Sequence, residues 1–287
     1  MPTANKLRWI DALVAAGLRE IEVGSFVPAQ HLPQMADVAA IVRHALTHSG
    51  LTVMALVPNL RGAESALSAG VHKLTIPVSA SAAHSLANVR KTREEMIEEV
   101  RAIVRLRDAM APGVKVEVGL STAFGCTLQG EVDEDDVIWV ASECIAAGVN
   151  ELGLSDTTGM ANPAQVRRLF TRLRAEIGGH TGSAHMHNTR GLGLANCLAA
   201  YDVGVRIFDS SMGGLGGCPY APGASGNVVT EDLVFMLESM GVSTGVDLEK
   251  LILARDVLRA GLSGEPLYGM TPEAGLPKGW TSRSPRF

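Results

Sequence analysis

Aromatic side chains are scarce in this chain. Trp, Tyr and Phe together make up 4% of its 287 residues, against 46% hydrophobic residues overall. A chain of this length buries ~75% of its unfolded surface on folding, so its core needs no covalent staples. Cysteine is sparse too. Cys126, Cys144, Cys197 and Cys218 are too few and too scattered for a disulfide scaffold, and no C-x-x-C pair points to a zinc ribbon. They read as thiols of a reducing compartment. No apolar run approaches the ~18 residues of a membrane span. Met1-Pro2-Thr3-Ala4-Asn5-Lys6 lacks a signal-peptide hydrophobic region. Basic charge is not in excess either. The net charge of −5 argues against nucleic acid as the main partner. The expectation is a cytoplasmic protein with neither a membrane nor a nucleic-acid partner.

What is present is a repeat. Ala15-Ala16-Gly17-Leu18, Ser68-Ala69-Gly70-Val71, Ala146-Ala147-Gly148-Val149 and Asp202-Val203-Gly204-Val205 each lead into a short apolar strand. Glycine just past a helix adopts the left-handed conformation that closes it, so each phrase is an αβ loop. The near-continuous apolar run at Leu51–Val57 suits a parallel strand buried on both faces, and Val114–Leu120 and Gly182–His187 are two more strands between helices. The spacing predicts seven strands, starting near residues 19, 51, 73, 114, 150, 182 and 206. Helical periodicity predicts Lys6–Ala16, with Thr3 as its N-cap, then Val38–Leu46, Arg93–Met110, Asp135–Ala147, Pro163–Ile177, Leu192–Tyr201, Glu231–Met240 and Leu248–Leu262.

Alternating strands and helices mean a parallel sheet. An α/β barrel of about 250 residues is a single domain but needs eight strands. The reading is therefore an α/β, TIM (β/α)8-type barrel over residues 1–268 that lacks its N-terminal strand, followed by an irregular tail over 269–287. Such a sheet leaves two exposed edges, which are templates for pairing, so a homo-oligomer is allowed.

In α/β barrels the active site lies at the C-terminal strand ends. Most strands here end in polar groups: Glu22 to Ser25, Asn59, Ser79, Ser121, Asp156, His185 with His187, and Asp209. Strand alternation puts His185 and His187 on one face, where two imidazoles are either ligands of a divalent metal or a buried hydrogen-bonded pair. Glu22 and Asp156 could be bases, ligands or orienters, or members of structural ion pairs. Ser25 and Asn59 are weaker candidates. The stretch Gly213–Asn227 is glycine-rich and long for a loop. It could cradle a phosphate, act as a lid carrying an accessible Cys218, or simply connect. The six other histidines are expected at the surface, and Cys144 and Cys197 in inert apolar helices.

Gly214-Leu215-Gly216-Gly217-Cys218-Pro219-Tyr220-Ala221, followed by Gly223-Ala224-Ser225-Gly226-Asn227 and Thr230-Glu231-Asp232-Leu233, resembles the signature of the 3-hydroxy-3-methylglutaryl-CoA lyase family. Ile21-Glu22, Ser25-Phe26-Val27-Pro28, Val57-Pro58-Asn59-Leu60-Arg61-Gly62, Ser155-Asp156-Thr157-Thr158-Gly159 and His185-Met186-His187 add to it in family order, covering residues 1 to about 262. The resemblance implies a metal-dependent TIM-barrel lyase acting on an acyl-CoA thioester. His185, His187 and Asn227 would bind Mg2+ or Mn2+, and Cys218 would protonate the acetyl-CoA enolate. Glu22 and Asp156 would complete the polar site.

Three departures qualify the resemblance. The family's first strand ends in Arg-Asp-Gly, supplying an aspartate ligand and a cationic arginine, and nothing here matches it. The chain as written is thus expected to hold metal weakly and to turn over little, unless its start is misassigned or truncated. His185-Met186-His187-Asn188-Thr189-Arg190 replaces the usual His-x-His-Asp-Thr. Ser121-Thr122 stands where typical members carry a tyrosine, which could admit a different acyl group. The alternatives are a sibling such as a citramalyl-CoA lyase, or a non-catalytic paralogue that binds acyl-CoA.

Overall fold

The computed structural model describes residues 1–216 and 226–281. Helix α1 (Thr3–Ala15) leads into β1 (Glu20–Ser25), α2 (Val38–Ala45), β2 (Thr52–Leu56), α3 (Leu60–Ala69), β3 (Lys73–Ser79), α4 (Ala82–Val89) and α5 (Arg93–Met110). Then come β4 (Lys115–Ser121), α6 (Glu134–Ala146), β5 (Glu151–Asp156), α7 (Pro163–Ile177), β6 (Thr181–Met186), α8 (Gly193–Asp202) and β7 (Phe208–Asp209). Helices α9 (Thr230–Ser239), α10 (Leu248–Gly261) and α11 (Met270–Ala274) follow. The seven strands pair in parallel in the order β1-β2-β3-β4-β5-β6-β7. Each begins within two residues of its expected start.

The loop reading holds at all four repeats. Gly17, Gly70, Gly148 and Gly204 have φ of +105°, +86°, +98° and +94°, the region where a Cβ is penalised. Helix starts are capped by local chemistry. Thr92 and Glu95 form a reciprocal capping box on α5, and Asn162 accepts from Gln165 N with Pro163 opening α7. Thr3 does not cap α1. Pro2 occupies that place, and the Thr3 hydroxyl donates to Asp37 Oδ2 at 2.7 Å.

Strand alternation divides the side chains. Val53, Ala55, Leu74, Ile76, Val116, Val118, Leu120, Leu152 and Leu154 point outward and are fully buried under the helices. The inward residues are mostly polar, and they show that the sheet curls. The carboxylates of Glu20 on β1 and Glu151 on β5 lie 2.9 and 2.8 Å from the same ammonium, Lys73 Nζ. Four strand spacings in a flat sheet would hold them ~19 Å apart. The result is a curled half-barrel of TIM type. A second apolar cluster, including Leu13 and Ala16 of α1 with Leu251, Ala254 and Leu258 of α10, packs α1 against α10.

Residues after Gly269 are not wholly irregular. They include α11, whose Thr271 N donates to Asp232 Oδ1 at 2.7 Å, and Trp280 stacks on Phe235 with ring centroids 4.8 Å apart. Among the described helices, none is long and apolar enough to cross a membrane.

Candidate active site

The inward face carries a polar column from the base of the strands to their C-terminal ends. At the base, Lys73 Nζ meets Glu20, Glu151 and, at 2.6 Å, Glu117. Glu117 accepts a hydrogen bond from Ser183 Oγ at 3.0 Å, and the same hydroxyl lies 2.8 Å from Asp209 Oδ2. Asp209 Oδ2 is 3.4 Å from His185 Nδ1. His185 Nε2 then lies 3.3 Å from His187 Nε2. With Glu22 on the same face, carboxylates outnumber cations along the column. That excess favours a cation at the open end.

Asn227 completes the end of the column. It forms an isolated antiparallel bridge with His187, and Val228 N donates to Met186 O at 3.0 Å. Its Nδ2 donates to Leu215 O at 2.8 Å, so its Oδ1 is turned the other way, buried and without a hydrogen-bond partner. Glycine is required here. A Cβ on Gly216 would lie 2.5 Å from Asn227 Nδ2, and one on Gly226 would lie 1.9 Å from Gly214 O. The described ends of the glycine-rich stretch are thus a close backbone crossing that aims Asn227. Cys218 and the centre of the stretch lie outside the described residues.

The charges follow from this placement. Burial opposes a charge on His185, but Asp209 and Glu22 outweigh it and raise its pKa. Burial would lift Asp209, yet its contact with His185 holds it below the ordinary carboxylate range. Burial, with the neighbouring His185 charge, pushes His187 down to about 4. His187 is therefore neutral and has a lone pair to offer near pH 7. The surrounding protein raises the Glu22 carboxyl, even though water still reaches it on the concave side.

Asp156 is set apart from this group. It pairs in register with Met186, whereas Ser155 pairs with His185, so its side chain leaves the concave face. Its Oδ1 accepts from Met160 N at 2.8 Å and Ala161 N at 3.1 Å, and its Oδ2 is buried without a partner. Burial raises it to about 6. Arg190, the added cation of the His-Met-His segment, donates to the carbonyls of Thr158 and Gly159 on the same loop. Asn188 accepts from Gly193 N at 3.0 Å. Asn59 caps α3 through Gly62 N, and Ser25 Oγ is buried and unpartnered. Thr122, beside Ser121, takes a positive φ of 57°. His84, expected at the surface, is buried with its Nδ1 2.8 Å from Ser79 Oγ. Cys144 and Cys197 are buried, and their thiols are pushed up to about 12.

Sequence reading missed Lys73, Glu117, Ser183 and Asp209 as parts of one network. It also missed the role of the Thr230-Glu231-Asp232-Leu233 segment. Glu231 accepts from Gly213 N and pairs with Arg255 at 2.5 Å inside the protein, tying the start of the glycine stretch to α9 and α10.

The sequence matches the HMGL-like family over residues 1–258. The chain belongs to the HMGL-like family. It is 40% identical over 265 residues to hydroxymethylglutaryl-CoA lyase YngG of Bacillus subtilis, covering 92% of this chain and 88% of that one. It is 41% identical over 283 residues to (R)-citramalyl-CoA lyase of Chloroflexus aurantiacus, covering 95% and 88%. Its fold is similar to that of an HMG-CoA lyase from Acinetobacter baumannii solved with coenzyme A and 3-methylmalate, with a TM-score of 0.91, 38% identity and coverage of 99% and 92%. Within this HMGL-like chain, the side chains that converge at the strand ends are His185, His187, Asn227, Glu22 and Asp209.

Proposed function

We propose that the chain is a cytoplasmic carbon–carbon lyase that cleaves 3-hydroxy-3-methylglutaryl-CoA to acetyl-CoA and acetoacetate. The observation that carries this reading is the convergence of His185, His187 and the unpartnered Asn227 Oδ1 at the strand ends of an HMGL-like chain. The donor set suits a divalent ion. The two Nε2 atoms, 3.3 Å apart, match the ~3.0–3.4 Å between neighbouring donors around one ion with ~2.1 Å bonds. His185, His187 and the Asn227 carbonyl would hold Mg2+ or Mn2+, which when bound polarises the substrate's hydroxyl and carboxylate oxygens.

The protein's own groups do the rest. Asp209 fixes the His185 ring by taking its Nδ1–H, leaving Nε2 as the donor. Glu22, raised to about 7, is matched to accept the 3-hydroxyl proton near neutral pH. The C2–C3 bond then breaks, giving the ketone of acetoacetate. Its electron pair passes to the thioester side as the acetyl-CoA enolate. Cys218 gives that enolate a proton at C2, and the proton held by Glu22 returns through solvent. Asp156 acts at one remove by holding the loop over residues 157–161.

A second reading is favoured by the 41% identity to a citramalyl-CoA lyase, whose products would be acetyl-CoA and pyruvate. Incubating this chain and an upstream-extended form with each thioester, with Mg2+ or Mn2+ present, separates the two. Acetoacetate without pyruvate supports the first. Pyruvate alone transfers the assignment to the second. Inactivity of both forms on both thioesters leaves an acyl-CoA-binding paralogue and overturns the lyase reading.

A further inference from the structure

A second group of metal-ligand side chains lies outside the barrel mouth. Asp11 of α1 faces His44 of α2 and His48 of the turn after it. Asp11 Oδ1 is 2.7 Å from His44 Nε2 and 2.8 Å from His48 Nε2. The three ligand atoms lie within 4.8 Å of one another. The strand ends are on the other side of the molecule. His48 precedes β2 by four residues, at the N-terminal end of the strands, whereas His185 and His187 stand at their C-terminal ends.

Three features prepare this group for an ion. His44 in the last turn of α2 and His48 just beyond it turn both rings toward Asp11. Backbone hydrogen bonds from Thr47 N to His44 O and from His48 N to Ala45 O tighten the chain into a turn after α2 that keeps the His48 ring beside His44. The helices are also pinned near the other end of the contact by the Lys6–Asp37 ion pair at 2.7 Å. The rings meet edge to face with centroids 5.5 Å apart, both Nε2 atoms aimed at one carboxylate oxygen. All three side chains are only partly buried, so water can fill a remaining coordination position.

The geometry points to a transition-metal site formed by Asp11, His44 and His48, selective for Zn2+ or a similar ion over Mg2+. Two imidazoles and one carboxylate are a borderline donor set that suits Zn2+, Cu2+ or Ni2+, whereas Mg2+ prefers oxygen alone. Around Zn2+, bonds of ~2.0–2.2 Å place donors ~3.3 Å apart, so each contact opens by ~0.5 Å. Binding replaces the two Nε2–H donors, and each proton moves to the outward Nδ1. The ion then links α1 to α2. This site does not depend on the lyase reading.

Zn2+ titrated calorimetrically into the full chain in excess Mg2+ tests it. Wild type and His185→Ala are both expected to bind Zn2+ at this site. His48→Gln and Asp11→Asn should each weaken that binding by at least ~10-fold, as loss of a ligand costs no less than loss of an outer partner. Asp11→Asn keeps an oxygen for the histidine N–H groups, so it separates loss of the site from loss of the fold. Wild type that binds no Zn2+ overturns the proposal. So does binding that disappears in His185→Ala, or that survives both His48→Gln and Asp11→Asn unchanged.

Discussion

Asp209 and His185 face each other across adjacent strands, with Oδ2 of the one 3.4 Å from Nδ1 of the other. Their register partners are each other, His185↔Asp209. The contact holds the His185 ring by its Nδ1 edge and leaves Nε2 facing His187. Asp209→Asn removes the charge but keeps a group of the same size. It is expected to weaken Mn2+ binding by ~10–100-fold, the usual cost of losing an outer partner of a ligating histidine. Asp209→Glu should restore part of it. Calorimetric titration of both variants with Mn2+ checks this, and equal affinity in Asp209→Asn and wild type would refute the positioning role.

His185→Ala and Cys218→Ala are expected to fail in different ways. The first removes a donor, so metal and turnover should go together. The second leaves His185, His187 and Asn227 in place. It should lower turnover by at least ~10²-fold, the scale of one positioned proton donor, with Mn2+ affinity barely changed. Measuring affinity and kcat on both variants separates the roles. Unchanged kcat in Cys218→Ala would make that cysteine a bystander.

Much of the architecture was legible because strands of a half-barrel announce themselves locally. Glycine at +86° to +105° after four of the helices and outward apolar residues on the remaining strands place all seven strands. The weaker elements were not. Helix α3 is rich in small residues and showed only its Gly70 end, α4 is an eight-residue helix closed by Arg90 rather than a glycine, and β7 is two residues long. The site was legible where one segment contains it, as in His185-Met186-His187. Asp209, Ser183 and Glu117 come together only through register and curl across β4, β6 and β7, which no local pattern encodes. One signal was available: inward positions two apart are polar on several strands, as in Glu20 and Glu22, Lys73 and Thr75, Ser183 and His185. Asp156 shows the opposite case, a carboxylate at a strand end whose odd register turns it away from the histidines.

Asp156 also predicts a pH effect. Its carboxyl ordinarily titrates near 3.8, and burial pushes it up to about 6 in the folded protein. Between those values the folded state binds the proton more tightly than the unfolded one. The contribution of Asp156 to stability is therefore full below about pH 4, falls as the pH rises to about 6, and is level above that, by at most ~3 kcal/mol. Asp156→Asn has no such term. Urea midpoints of the metal-free proteins should show the variant gaining on wild type from pH 4 to pH 6 and then running parallel. A difference that is flat with pH, or that shifts in favour of wild type over that range, would contradict the raised pKa.

Arg255 and Glu231 form the most deeply buried ion pair among the described residues that bear on the site. Their side chains are 2% and 0% exposed and their atoms 2.5 Å apart. Arg255 also donates to the carbonyls of Leu267 and Tyr268, while Glu231 takes Gly213 N. The pair thus joins α9, α10, the segment before α11 and the start of the glycine stretch. Removing one partner strands the other charge away from water, at a cost of ~3–5 kcal/mol. Arg255→Met is therefore expected to lower the unfolding free energy by that amount. Glu231→Gln keeps an acceptor for Gly213 N but leaves Arg255 uncompensated, so it should cost a similar amount. In the double variant no charge is stranded, and its loss should be smaller than the sum of the two single losses. Denaturant unfolding of the four proteins completes the cycle. Strict additivity would mean that the two side chains act independently and would refute the coupling assigned to the buried pair.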